Sequence, residues 1–355
     1  MTKTILHLTL AGIFAVLTGL LILAAVFLKV PFFTVYSEVS RWIVGVLAKI
    51  TSIVPVPLWE ILGLLLIALF IFTLVRAIIR RRMVRWLTGV LLLVVILVFA
   101  FVAIWGLNYY APPMAERLGL EEKQFSREEL QEAAVYYRDR ANELAPQIPR
   151  DENGQLLPWD FDDLAASAPA GYKVLSQDLS LFDGSLVPPK KLVLTASLMG
   201  KTGYTGITLC LTGESCVSPT TYQVSQPFTM CHEMGHRMAL AREDEANFAG
   251  FLACAANPRI EFRYSGYYNA FKYCYNSLYD ESPNAAAEVW SGVCPELAAD
   301  NNAAAVHYEE LEDETASQVA DTVYNGYLQS FSVEEGVKSY GEVTDLLILW
   351  YQHIR

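Results

Sequence analysis

The residues best suited to chemistry are His232-Glu233-Met234-Gly235-His236. Ser225-Gln226-Pro227 reads as a helix start, because proline fits the first turn. On the helix that follows, His232 and His236 stand four positions apart and so share a face. Two imidazoles placed that way can fill two corners of a tetrahedral zinc site, each about 2.0–2.1 Å from the ion. Glu233 is rotated by about 100° from His232. From there it can lean over an open corner, take a proton from water and pass it to a leaving amine. Phe228, Cys231, Met234 and Met238 give the helix apolar sides to bury, and Gly235 suits a close approach. The plainer reading is a helix with two satisfied surface histidines.

Zinc needs a third protein ligand, and the nearest acids are Glu243-Asp244-Glu245. On one continuous helix, His236 and Glu243 would lie about 10 Å apart, too far for one ion. The chain must therefore turn back between Met238 and Arg242 and start a new helix near Glu243, which brings Glu243 or Glu245 beside the end of the first helix. That second helix runs to Ala256, with Ala246, Phe248, Ala249, Leu252 and Ala253 turned inward, and Asn257-Pro258 ends it. An acidic first turn is also what a helix dipole favours on its own.

Glu243, Ala246 and Asn247 form Glu-x-x-Ala-Asn, which resembles the second motif of gluzincin metallopeptidases. The resemblance implies Glu243 as the third zinc ligand and Asn247 as the residue that orients a ligand histidine. It also implies an edge strand along the cleft, for which Thr205–Leu211 is the natural segment, pairing with extended substrate by strand addition. A donor for the tetrahedral oxyanion is expected; Tyr340 is the first choice, with His307, Tyr327 and Arg263 behind it. More widely, the chain resembles an uncharacterised bacterial membrane family, domain of unknown function 3810. The likeness lies in Thr212-Gly213-Glu214, in Pro227–His236, in Ala241–Phe248 and in Lys338-Ser339-Tyr340-Gly341. It implies a peptidase-like site without a substrate.

Such a site needs elements to carry it. The 355 residues are 53% hydrophobic and 18% charged, too apolar for an ordinary soluble protein. Residues 1–107 carry nine Lys/Arg against two acids, a balance of +7; the whole chain is −12, so residues 108–355 sum to −19. An acidic outer portion argues against nucleic acid as a partner. Thr4–Leu28, Leu58–Ile79 and Trp86–Leu107 each meet the requirement of about 20 apolar residues for a membrane crossing. Trp42, Trp59, Trp86 and Trp105 fall near the ends of these stretches, where indoles favour headgroups. The first stretch offers no small-residue cleavage site followed by a polar mature end, and so reads as a span. Arg80-Arg81-Arg82 and Arg85 put the loop between the second and third spans in the cytoplasm, and everything after Leu107 outside. The 30–57 loop has Val39, Ile43, Val46, Leu47 and Ile50 at helical spacing and suits an interfacial helix on the outer leaflet. All six cysteines follow Leu107, which suggests disulfides, Cys210–Cys216 first among them.

Along the outer portion, 108–125 reads as a linker and Ser126-Arg127-Glu128-Glu129 as a capping box opening a helix to about Leu144. A helix is expected over Phe161–Leu181 and strands over Lys191–Ala196 and Thr205–Leu211, with mostly helix from Pro227. The tyrosines at 264, 267, 268, 273 and 275 read as core. The expected architecture is three transmembrane helices (1–107) followed by a mainly helical α+β, zincin-like domain with a small sheet (108–355). The expected function is a multi-pass membrane zinc metallopeptidase with an extracytoplasmic domain. It would bind Zn2+ through His232, His236 and Glu243, use Glu233 as base, and take peptide or protein substrates beside the lipid bilayer. A second reading is a catalytically silent zinc-binding membrane sensor or interaction protein. A third is a small-molecule amidohydrolase, which would need a closed pocket rather than an edge strand.

Overall fold

The computed structural model describes residues 2–120, 124–331 and 340–355. Among the described residues, three helices are long and apolar enough to cross a membrane: α1 (Thr2–Thr51), α2 (Leu58–Ile79) and α3 (Met83–Ile104). α1 is two helices joined at a kink, with Lys29 at φ 39° and Pro31 just beyond. Proline removes a backbone donor and crowds the preceding turn, so the axis breaks there. The second half of α1 takes up most of the 30–57 loop, so the helical spacing read from that loop is real. α2 and α3 are joined by Arg80-Arg81-Arg82.

The remaining helices are α4 (Met114–Arg117), α5 (Arg127–Leu144), α6 (Phe161–Ser167), α7 (Pro169–Leu175), α8 (Ala196–Lys201), α9 (Gln226–Arg237) and α10 (Glu243–Ala256). They continue with α11 (Ile260–Glu281), α12 (Pro283–Trp290), α13 (Pro295–Leu311), α14 (Glu314–Ser330) and α15 (Tyr340–Ile354). A small mixed sheet has the order β1 (Lys190–Lys191), β3 (Glu214–Val217), β2 (Gly206–Leu209). β1 is parallel to β3 and β2 antiparallel to it, with Thr208 opposite Ser215, so β2 forms an edge. The chain is thus mostly helical, with three membrane-length helices and a small sheet.

α9, α10 and α11 form the centre of the main core, with α5, α7 and α15 against them. Tyr137, Tyr172, Phe182, Met234, Phe248 and Tyr264 are fully buried there. Of the five tyrosines read as core, Tyr264 and Tyr268 are buried in it, and Tyr267, Tyr273 and Tyr275 are partly buried against it. The capping box forms: Glu129 N donates to Ser126 Oγ at 3.2 Å and Ser126 N to Glu129 Oε2 at 2.9 Å.

Several local expectations are corrected. Of the stretch read as a linker, residues 108–120 pack against the protein, with Asn108, Tyr109, Met114 and Ala115 buried. Pro169 divides the helix expected over Phe161–Leu181 into α6 and α7, and a short 3-10 turn follows at Ser180–Phe182. The strand expected over Lys191–Ala196 stops at Lys191. The backbone N–H groups of Val193, Leu194 and Thr195 turn to the Glu60 carboxylate at 2.8–3.2 Å instead of to a neighbouring strand. All six cysteines are free thiols, Cys210 and Cys216 included.

Candidate metal centre

α9 starts where Pro227 suggests, with proline in its first turn, and ends at Arg237. The reversal that follows is tight. Met238 N donates to Gly235 O at 2.8 Å and Ala239 N to His236 O at 3.2 Å, and Ala239 adopts φ 64°. That left-handed residue costs roughly 1 kcal/mol in any side chain larger than glycine, and it lets α10 begin at Glu243 beside the last turn of α9. Burial of both helices against α7 and α11 offsets the cost.

This turn brings three side chains together. His232 Nε2 lies 3.3 Å from Glu243 Oε2, and His236 Nε2 lies 3.6 Å from Glu243 Oε1. The donor atoms of His232, His236 and Glu243 all fall within 4.8 Å of one another, the one such group of His, Cys, Asp or Glu among the described residues. Donors on a tetrahedral ion at 2.0–2.1 Å sit about 3.3–3.4 Å apart, so the three residues fit a zinc-sized cation with small movement. The imidazole rings are nearly perpendicular, at 89°. His236 Nδ1 is 2.8 Å from the Leu240 carbonyl. A carbonyl only accepts, so Nδ1 carries the proton and, in the neutral ring, Nε2 keeps a lone pair facing Glu243. The orienting bond expected of Asn247 is supplied, for this ring, by the backbone of the turn. Asn247 itself is buried one turn beyond Glu243.

Glu245 is turned away. Its carboxylate accepts from Met114 N at 2.7 Å and from Arg117 Nη2 at 2.8 Å, and 3% of its side chain is exposed. The acidic run thus divides its labour: Glu243 joins the histidines and Glu245 fastens α4.

Glu233 is buried with its Oε1 4.0 Å from His232 Nε2. Two strands hold it: from β2, Thr208 Oγ1 donates to Glu233 Oε2 at 2.7 Å, and from β3, Ser215 Oγ donates to the Glu233 carbonyl at 2.8 Å. Gly206 leaves the room this needs, since a Cβ there would stand 2.7 Å from Glu233 Cγ. Burial pushes the Glu233 carboxyl up to about 7, against the pull of His236 and the Thr208 hydroxyl. Burial also raises Glu243, but the two histidines and a hydroxyl outweigh it and bring that carboxyl down to about 2.

The hydroxyl belongs to Tyr324, on α14, which donates to Glu243 Oε1. Tyr324 was not among the tyrosines singled out from sequence. Tyr327, one turn later, packs beside it but bonds to the Tyr109 hydroxyl at 3.2 Å. His307 bonds to the Thr220 carbonyl at 2.7 Å, and Arg263 stands on α11 outside the cluster. Tyr340 opens α15, but its side chain, like the Lys338–Ser339 stretch before it, lies outside the described residues. From the other side, Trp105 at the end of α3 donates its indole N–H to the His236 carbonyl at 2.9 Å.

Fold and cluster together define the class: a mostly helical protein whose membrane-length helices abut a group of two histidines and a glutamate suited to a divalent cation. The chain belongs to the DUF3810 family, described as a protein of unknown function, whose model matches residues 36–348. No curated protein and no solved structure matches it.

Proposed function

We propose that the protein is a membrane-bound zinc metallopeptidase of gluzincin type, with His232, His236 and Glu243 as ligands and Glu233 as general base. One observation carries the reading: three donors at metal-ligand spacing with a fourth, buried carboxylate beside them that a strand positions separately. A structural site would close its fourth corner with another ligand; here Glu233 stands 4.0 Å from the nearer imidazole instead.

A cation held by the three ligands would polarise a peptide carbonyl and acidify a water. Glu233, held by Thr208, is the residue placed to accept a proton from an attacking water as the water oxygen would bond to the carbonyl carbon, and to return that proton to the nitrogen as the C–N bond would break, which would give a carboxylic acid and an amine. Tyr324 is a positioning residue that fixes Glu243 through its Oε1. β2, an edge strand that touches Glu233, favours an extended peptide over a small amide, because its outer backbone groups can pair with one.

The same arrangement supports the membrane reading. The start of α2 and the end of α3 both meet the outer portion, through Glu214 and His236. The Arg80–Arg82 turn and Arg85 lie at the other end of that hairpin, which the positive-inside bias assigns to the cytoplasm. The site would then face the extracytoplasmic side.

Purified full-length protein, zinc-loaded in detergent, should release new termini from a mixed peptide library, and Glu233→Gln should abolish this while keeping its zinc. Equal cleavage by the variant would end the hydrolase reading.

A further inference from the structure

We infer that this site works on polypeptide held at the membrane surface, the few residues next to a lipid or transmembrane anchor, rather than on peptides arriving from bulk solution. The inference rests on the peptidase reading and names its substrate class.

The first observation is the height of the site. α3 has 22 residues, about 33 Å at 1.5 Å per residue, which matches a hydrocarbon core of about 30 Å. Its last turn therefore ends at the headgroups. Trp105, the residue capping that turn, is bonded to the backbone of the ligand His236. The metal ligands are one side chain away from the end of a membrane helix.

The second observation is how firmly the sheet is tied down. Glu214 of β3 accepts from Leu58 N at 2.7 Å and Trp59 N at 2.9 Å, capping α2. Glu60, in the first turn of α2, accepts from residues 193–195 in return. Lys190 of β1 reaches Glu214 at 2.7 Å and the Thr51 carbonyl at 2.9 Å. The β2–β3 turn sits on α1: Gly213, at φ 69°, would bring a Cβ to 3.0 Å of Ala48 Cα. The strand proposed to pair with substrate therefore cannot lift away from the membrane helices.

The third observation is what the underside presents. In the second half of α1, Ser40, Val44, Ala48 and Thr51 are buried. The opposite stripe, Val39, Trp42, Val46 and Ile50, is exposed and apolar, as is Ile53 in the turn just after the helix, with Trp42 at 69% and Ile53 at 82%. Tyr36 on the same helix bonds to the Val102 carbonyl near the end of α3, so this stripe starts where that span ends. Val193, Leu194 and Leu198, flanking the Glu60 contact, are also exposed. An apolar surface continuous with three membrane-length helices is covered by lipid of the outer leaflet. Substrate then reaches β2 along the membrane surface.

The test uses the full chain, zinc-loaded, in vesicles of phosphatidylethanolamine and phosphatidylglycerol. A degenerate peptide library is supplied free, or coupled to a double-acyl anchor through a spacer of about 2 or about 30 residues, the longer one reaching roughly 30 Å. Cleavage absent in Glu233→Gln is counted. The short-spacer library should be cut at least about tenfold faster than the free one and faster than the long-spacer one, which has the same membrane concentration but greater reach. Equal rates for free and anchored peptides, or a preference for the long spacer, would overturn the inference and leave the hydrolase standing. No Glu233-dependent cleavage of any library would overturn both. Independently of turnover, nitroxides at Leu198→Cys and Ile53→Cys should show the oxygen access of the acyl boundary. Water-like access at both positions would overturn the inference.

Discussion

Glu243 and Glu245 sit two residues apart in one acidic turn, yet the structure assigns them different work, and Gln substitutions should separate them. Glu245 has 3% of its side chain exposed and accepts from Met114 N and from Arg117, whose side chain keeps 18% exposure. Breaking a buried ion pair costs about 3–5 kcal/mol. The partial exposure of Arg117 and the acceptor that glutamine retains for Met114 reduce this to about 2–3 kcal/mol. At about 2–4 °C per kcal/mol for a chain portion of this size, Glu245→Gln should lower Tm by about 4–12 °C, with zinc stoichiometry unchanged. Glu243→Gln should do the reverse. Its amide still accepts from Tyr324 and donates to an imidazole lone pair, so metal-free stability should move by about 1 kcal/mol or less. Loss of a ligand should weaken zinc beyond the 10–100-fold typical of an outer-shell partner, hence by at least about 2.7 kcal/mol at 1.36 kcal/mol per decade. Chelator-competition titrations and thermal melts with and without chelator read both quantities on the full-length protein. Zinc lost in Glu245→Gln but kept in Glu243→Gln would refute the division of roles.

Two further outcomes follow from contacts around this turn. Thr208→Val keeps the shape of β2 but removes the hydroxyl at 2.7 Å from Glu233; kcat should fall about 10–100-fold with zinc retained, and unchanged turnover would show that the strand does not position the base. At the start of α11, the Arg259 guanidinium holds Glu261 below its usual range through two hydrogen bonds, at 2.8 and 3.2 Å, against a smaller effect of burial. A depressed folded value means that the stabilisation is present above the unfolded value of about 4.3 and lost as pH falls through the folded one. The stability gap between wild type and Glu261→Gln should therefore be widest near pH 7 and close below pH 4, and a gap independent of pH would count against the pair.

Much of the centre was legible from spacing. The i, i+4 histidines, the proline at the start of α9 and the need for a reversal before Glu243 are local matters, set by helix geometry over a dozen residues. The apolar stretches were legible for the same reason: length and composition are properties of a segment alone. What escaped were partners distant in sequence. Tyr324 reaches Glu243 across 81 positions, and nothing local distinguishes it from Tyr327. Glu60 and Glu214 each accept backbone N–H groups from a distant segment, and such donors carry no residue signature. The same contacts account for the strand that stopped at Lys191. The 108–125 stretch has the composition of a linker, but Met114 N supplies a hydrogen bond and Arg117 the opposite charge that Glu245 needs in a buried place.

These long-range carboxylates also explain how so small a sheet can hold the Glu233 carboxylate steady. Strands of two and four residues, paired only to one another, are too short to be stable alone. β3 is fixed because Glu214 caps α2, and residues 193–195 are fixed because Glu60 accepts their donors. β2 is fixed between β3 and the carboxylate of Glu233. Removal of residues 1–107 would take the Leu58 and Trp59 donors from Glu214 and leave it only Lys190 among its named partners, would strip Glu60 from the N–H groups of 193–195 and α1 from the Gly213 turn, and would take Trp105 from α9. The membrane helices are thus part of the frame of the centre as well as its anchor.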